Sequence, residues 1–426
     1  MNTNLVKIVL WDRTVGYLSW DDSNWRMETS VFQFDNDFLL SGYDITPLSG
    51  MLHRAGHLIR GGDPKGVFKG LPPVFADSLP DHWGNSLFKA WAKDSGISMK
   101  KITPVDLLSY IGTRGMGALE YLPAAIEGED IPFDVDVDEL YSFAKAILSE
   151  RQAIEFPAGR ELLWQDLIKL GTSPGGKRPK ALIAMNSEGN IKSGQATLPD
   201  GYKYYILKYD NESDFFPYAR LEYAYYRMCL DSGIEMRDSV LKPFSKATHF
   251  VTERFDRNDE GKVHMLSLRA MTGGADSYEE AFDVTRKLML DYGDKEQLFR
   301  RMVFNVLSGN IDDHDRNFSF LMGKDGKWKL SPAYDMVYSI DPDTYDFQKG
   351  QFLSINGKKR DITYDDVMEV GLRNDINHPG TIIEQVLDIV SGLRRYLSDA
   401  GVPDKTCTTI ENELNQRHNS FTKGRK

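Results

Sequence analysis

A change of pattern around residue 310 constrains this chain more than any other feature. The apolar stretch EQLFRRMVFNVLSG has helical spacing and runs straight into the polar segment IDDHDRN. The chain then continues through FSFLM, turns at Lys324 to Lys327, and returns through WKLSPAYDMV, which predicts a hairpin whose far strand carries Asp335. Around this unit the chain needs a large core. With 426 residues, 41% hydrophobic and 27% charged, it has the material for two or more packed lobes.

Upstream, short alternating apolar stretches from Val6 to about Phe38 predict a small sheet. Gly and Pro residues between Gly61 and Pro80 precede a helix that Asp81 can cap and that runs through Trp83, Leu87, Phe88 and Trp91. This β-rich unit is expected to occupy residues 1–125, ending near Pro123. The acidic stretch EGEDIPFDVDVDEL reads as a linker into a helical pattern through Leu140, Phe143, Ile147 and Leu148, together residues 126–150. Residues 151–251 follow with a helix ending near Leu170, the loop GTSPGGKRPK, the strands ALIAM and KYYILKYD, and the helix ARLEYAYYRMCLDSG stopped by Gly233. A strand in HFVTERFD then opens residues 252–426, expected to be mainly helical with a basic tail.

The formal net charge of −11 repels nucleic acid at long range, so general affinity for DNA or RNA phosphates is not the expected activity. Cys229 and Cys407 are the only cysteines, which suits a reducing compartment and excludes a disulfide scaffold. The N-terminus MNTNLVKIVLW lacks the pattern of a secretory signal, and no run approaches the length of a membrane helix, so a cytoplasmic protein without membrane attachment is expected.

Phosphoryl transfer from ATP needs a backbone cradle for phosphates, a lysine, a positioned base and oxygen ligands for magnesium. Candidates for all four occur in one order. Ser173-Pro174-Gly175-Gly176-Lys177-Arg178 offers a cradle, although a Gly-Gly pair is also an ordinary turn. Lys208 lies in a predicted strand and Glu222 in the following helix, where an ion pair could aim the lysine; the plain alternative is two unrelated surface charges. Asp312 and Asn317 have the spacing D-x-x-x-x-N of a kinase catalytic loop, with Asp as base and Asn on magnesium. Asp335, in Pro332-Ala333-Tyr334-Asp335, is the candidate second magnesium ligand. His314 suits an orienting hydrogen bond better than a magnesium site, and Asp313 and Asp315 read as solvated loop charges. The match of Gly171 to Lys177 to a P-loop fails because Arg178 stands where Ser or Thr is required. His53 and His57 are spaced to share a helix face but lack the further ligands of a zinc site.

The chain resembles the HipA family of bacterial toxin–antitoxin kinases over nearly its full length, through FKGLPPVFADSLPDHWGN, YIGTRGMGALEYLP, GTSPGGKRPKALIA, ILKYD, ERFDR, NIDDHDRNFSFLM and LSPAYD. The resemblance implies an α+β fold: a bilobal protein-kinase-like core with a small β-rich N-terminal subdomain, and ATP between the lobes. It implies a hinge near Glu253 to Phe255, phosphate-contacting Lys180 and Lys208, and autophosphorylation at Ser173. It implies Asp312 as catalytic aspartate and Asn317 and Asp335 as magnesium ligands, with His314 and Tyr334 beside the nucleotide. The implied activity is transfer from Mg-ATP to a serine or threonine of another protein, an aminoacyl-tRNA synthetase in some members. The implied partner is a small helix-turn-helix antitoxin of the HipB type, with DNA reached only through it. D-x-x-x-x-N does not encode the acceptor, so a small molecule or lipid acceptor stays open, as does a nucleotide-binding antitoxin partner with little transfer activity.

Overall fold

In the computed structural model, residues 5–23, 28–51, 53–126, 132–148, 178–195, 197–210, 215–341 and 350–423 are described. Alternating residues Val6, Ile8 and Leu10 point inward from Leu5–Leu10 (β1) and are fully buried, as period-two spacing requires. With Arg13–Asp21 (β2), Thr29–Phe34 (β3), Leu58–Arg60 (β4) and Leu119–Leu122 (β5), β1 forms an antiparallel sheet of order β4-β3-β2-β1-β5. A Cβ at Gly16, on the central strand β2, would lie 2.2 Å from Gln33 O, so only glycine fits there. The sheet signal had been expected to reach Phe38, but β3 stops at Phe34. Asp35 accepts from the Asp37 amide and caps the short helix Asn36–Leu40 instead. The region of His53 and His57 is irregular, not helical, and His53 Nε2 lies 2.8 Å from Thr46 Oγ1. The helix His82–Asp94 starts where Asp81 predicts, and it buries Trp83, Leu87 and Phe88.

A second antiparallel sheet contains Lys180–Asn186 (β6), Ile191–Ser193 (β7), Tyr202–Lys208 (β8), Ser239–Pro243 (β9) and Thr248–Glu253 (β10), ordered β7-β6-β8-β10-β9. The helix Tyr218–Asp231 packs on β9 and β10. The far part of the expected linker is not a free connection: Asp134 bridges Lys192, and the Val135 amide donates to Ile191 O at 3.2 Å, so this segment lines the edge at β7. The helix expected to end near Leu170, and Ser173, Gly175 and Gly176, lie outside the described residues.

A short ribbon, Arg257–Asn258 (β11) with Gly261–Lys262 (β12), leads into a third sheet. There the predicted hairpin, Ser319–Met322 (β14) and Trp328–Leu330 (β15), is joined by His264–Ser267 (β13), a strand with no counterpart in the sequence reading, in the order β13-β14-β15. Asp335 is not on the far strand: β15 ends at Leu330, and Asp335 stands in irregular backbone with φ of 53°. The buried helix Tyr292–Ser308 ends at Gly309, whose left-handed φ of 71° turns the chain into the loop beginning at Asn310. Among the described residues no helix is long and apolar enough to cross a membrane.

Candidate active site

Strands β6 and β8 run antiparallel with Lys180 directly opposite Lys208, which puts two ammonium groups on one face. Such a pair persists only where carboxylates surround it. Lys208 Nζ lies 2.5 Å from Glu222 Oε1 and also contacts Asp335 Oδ1. Burial alone would lower the Lys208 pKa, but Asp335 and Glu222 outweigh it and raise the value above that of an ordinary lysine. The two carboxylates respond differently. Burial raises Glu222, whose main cationic partner is the shared Lys208, whereas Asp335 has both Lys208 and Lys180 and is held below the usual carboxylate range despite its burial. A single ammonium does not fully neutralise two buried carboxylates, and the one with a second cation keeps its charge more firmly.

The loop after Gly309 is held at every turn. Ser339 Oγ accepts from the amides of Ile311 and Asp312 at 2.8 and 3.0 Å, and Asn317 Nδ2 donates to Asp312 O at 2.8 Å. The Asn317 amide donates to His314 O, and His314 Nδ1 accepts from the Arg316 amide at 3.2 Å, which is an orienting use of the histidine. Asp313 and Asp315 are not solvated: both are buried. Asp313 accepts from Tyr278 Oη, Gln351 Nε2 and the Phe352 amide, while Asp315 pairs with Arg269 and accepts from the Ala275 amide. In this run of acidic residues, Asp312 alone is exposed. Anchored neighbours with one exposed carboxylate between them suit a base that must reach an outside acceptor.

Lys180, Lys208, Glu222, Glu253, Phe255, Tyr334 and Asp335 line one cleft of about 1210 Å³, counted with its open mouth. Tyr334 donates to Arg316 O at 2.7 Å, accepts from Ser319 Oγ, and lies 5.4 Å from Phe255 between ring centroids. Glu253 closes β10 and pairs with the exposed Lys203 at 2.9 Å. Asp312, His314 and Asn317 do not line this cleft; their loop reaches it through Arg316, whose amide donates to His314 Nδ1.

The N-terminal unit supplies another wall, through Asp77 to Pro80 and Met116. Asp77 accepts from the Ser267 amide and Oγ at 2.7 and 2.6 Å. Asp256, fully buried, accepts at 2.8 Å from Arg254, Arg257 and the Gly117 amide, joining the ERFDR segment to the N-terminal unit. Sequence reasoning marks Asp81 only as a helix cap and assigns no role to Asp77, Ser339 or Asp256. Their partners across the fold are distant in sequence; FADSLPD contains Asp77 and Asp81 and ERFDR contains Asp256, whereas none of the shared motifs contains Ser339.

Residues 6–122 match the family described as HipA N-terminal domain, and residues 172–393 match the family described as HipA-like C-terminal domain. A Haemophilus influenzae protein named "Putative kinase" is 32% identical over 159 residues, covering 32% of this chain and 46% of that protein, so the match spans under half of the relative's length. The Shewanella oneidensis serine/threonine-protein kinase toxin HipA is 21% identical over 374 residues, covering 80% of this chain and 76% of that one. The solved Shewanella oneidensis complex of HipA, HipB and operator DNA aligns with a TM-score of 0.65 at 16% identity, covering 97% of this chain and 95% of its own. The fold is therefore the α+β, kinase-like fold of HipA with a β-rich N-terminal sheet.

Proposed function

This chain belongs to the HipA family, and on that premise we propose that it is a serine/threonine protein kinase that uses Mg-ATP, acting as the toxin of a toxin–antitoxin pair. The carrying observation is the meeting of Lys208, Glu222 and Asp335 in a cleft flanked by the anchored loop of Asp312 and Asn317. Lys180 and Lys208 would neutralise the phosphates, with Glu222 aiming Lys208. The base edge would meet the hinge of Glu253 to Phe255, beside the Tyr334 ring.

Asp335 and Asn317 would hold magnesium. They fit a hard cation: one is a carboxylate kept ionised by its surroundings, and the other directs its amide nitrogen to Asp312 O, which turns its amide oxygen outward. Magnesium, when bound, neutralises charge on the phosphate oxygens. Asp312 would accept the proton of the acceptor hydroxyl as that oxygen bonds to the terminal phosphorus and the bond from that phosphorus to the bridging oxygen breaks, the pair of electrons leaving on ADP. Its exposure favours a hydroxyl carried on a macromolecule over a small enclosed substrate.

The proposed acceptor is a serine or threonine of another protein, and the family resemblance suggests an aminoacyl-tRNA synthetase as one candidate. Ser173 is proposed as the site of self-inhibition, because a phosphoserine brings roughly −1.5 to −2 charges into a loop that would otherwise bind phosphate. A small helix-turn-helix antitoxin of the HipB type is the proposed partner, supported by the solved Shewanella complex of HipA with HipB and operator DNA, and the net charge of −11 suits a protein that reaches DNA only through such a partner. Incubation of lysate with radiolabelled Mg-ATP, followed by identification of labelled proteins, tests the reading. Label on one or a few proteins with the wild type supports it, and label unchanged by Asp312→Ala contradicts it.

A further inference from the structure

Lys180 lies deeper than Lys208, and the charges that face it come from several elements. Lys208 is its neighbour on β8, Glu222 sits on the helix Tyr218–Asp231, and Asp335 follows β15. Another belongs to the N-terminal unit: Asp81 Oδ2 stands 3.8 Å from Lys180 Nζ, with both side chains almost wholly buried. The other oxygen, Oδ1, caps the helix His82–Asp94 by accepting from the Gly84 amide at 2.5 Å. Oδ2 has no hydrogen-bond donor among the described residues.

A buried carboxylate oxygen without a donor is unfavourable, and Lys180 in front of it, with Arg316 from the catalytic-loop side, offsets that cost. Burial pushes Asp81 up and Lys180 down; Asp335 and then Asp81 oppose the shift of Lys180, and Lys180, the Gly84 amide and Arg316 oppose that of Asp81. The same helix also holds the lysine's main chain, since Trp83 Nε1 donates to Lys180 O at 2.9 Å. The N-terminal unit thus grips both the backbone and the charge of Lys180.

We propose that Asp81 is a positioning residue of the nucleotide site: from the N-terminal unit it holds the Lys180 ammonium in place, directed at the phosphates of the nucleotide. This rests on the kinase reading above. It makes the N-terminal unit part of the phosphate site, so that the core alone lacks a group its own lysine needs.

Asp81→Asn in the full chain separates the two roles of the residue. Asparagine keeps an oxygen for the helix cap but removes the charge beside Lys180. Calorimetry with Mg-ATP and with adenosine then reads the phosphate contribution alone. The dissociation constant for Mg-ATP should rise roughly tenfold, the scale of one charge-assisted contact, while adenosine binds within about twofold of wild type. On a Lys180→Met background, Asp81→Asn should add nothing, because the residue acts through the lysine. Asp81→Asn with wild-type Mg-ATP affinity, equal losses for ATP and adenosine, or full additivity with Lys180→Met would each overturn the proposal. Lys208→Met run alongside separates the two failures. If Lys208→Met weakens Mg-ATP while Asp81→Asn does not, only the role of Asp81 falls; if the wild type binds no Mg-ATP, the kinase reading falls and takes this inference with it.

Discussion

Lys208 Nζ stands 2.5 Å from Glu222 Oε1, joining the last residue of a strand to the second turn of the helix that follows it. The ammonium also contacts Asp335, from a third element, so one side chain gathers the two lobes at the cleft. Lys208→Met keeps the bulk and removes the charge, and it should lower Mg-ATP affinity and turnover together by at least roughly tenfold. Glu222→Gln should act in the same direction but more weakly, because Asp335 still faces the lysine. Calorimetry and phosphotransfer rates on the two variants check this; a silent Glu222→Gln beside a severe Lys208→Met would leave the lysine its role and deny one to the pair.

Asp335→Ala should weaken ATP binding when magnesium is present and change it little when magnesium is withheld by a chelator. The carboxylate's expected contribution is to the cation, and its pairing with Lys208 and Lys180 keeps it ionised at neutral pH. Titration of ATP with and without magnesium gives the answer, and equal affinities for variant and wild type in magnesium would remove Asp335 from the metal's shell.

Asp313 makes a pH prediction. Burial lifts its pKa from 3.8 to about 7, even though Tyr278, the Phe352 amide and Gln351 hydrogen-bond to it. The folded protein therefore keeps this proton over a range in which the unfolded chain has lost it, and the contribution to stability falls as pH rises from near 4 toward 7. Asp313→Asn has no proton to lose. Its melting temperature minus that of the wild type should grow between pH 4.5 and pH 8, and a difference that stays flat or shrinks would contradict the assignment.

Much of this site was legible in the sequence, because its parts lie in local patterns. The strand of Lys208, the helix of Glu222, the loop of Asp312 to Asn317 and the return at Asp335 each follow from apolar spacing and turn residues. What escaped depends on contacts between distant segments. Asp313 and Asp315 read as solvated because charge patterning cannot reveal that Tyr278, Arg269, the Gln351 side chain and the Phe352 amide close over them. Strand β13 is only four residues long and is defined by pairing with β14 across more than fifty residues of chain, so no local alternation announces it. The turn at Lys324 to Lys327 and the return through WKLSPAYDMV predict a far strand that reaches Asp335, whereas the backbone leaves the sheet at Leu330 and the Ala333 amide donates instead to Glu235 O.

Asp256 is the most demanding buried charge at the junction of the N-terminal unit and the core. Burial alone would raise its pKa, but Arg254 and Arg257 hold it far below the carboxylate range. Asp256→Ala would leave two buried guanidinium groups without their shared carboxylate and should cost about 3–5 kcal/mol of stability. Denaturant unfolding monitored by tryptophan fluorescence measures this, and a loss under about 1 kcal/mol would mean that the arginines find other partners.

The central claim is that Asp312 is the base of a phosphotransfer reaction, and purified protein carrying Asp312→Ala tests it most directly. The residue is exposed and makes its main-chain contacts through Ser339 and Asn317, so the fold should survive the loss of its carboxylate. With labelled Mg-ATP and the acceptor found in lysate, the variant should bind nucleotide as the wild type does and transfer phosphate at least about a hundredfold more slowly, the usual scale for loss of a general base. Transfer at the wild-type rate by a folded, ATP-binding Asp312→Ala protein would contradict the account.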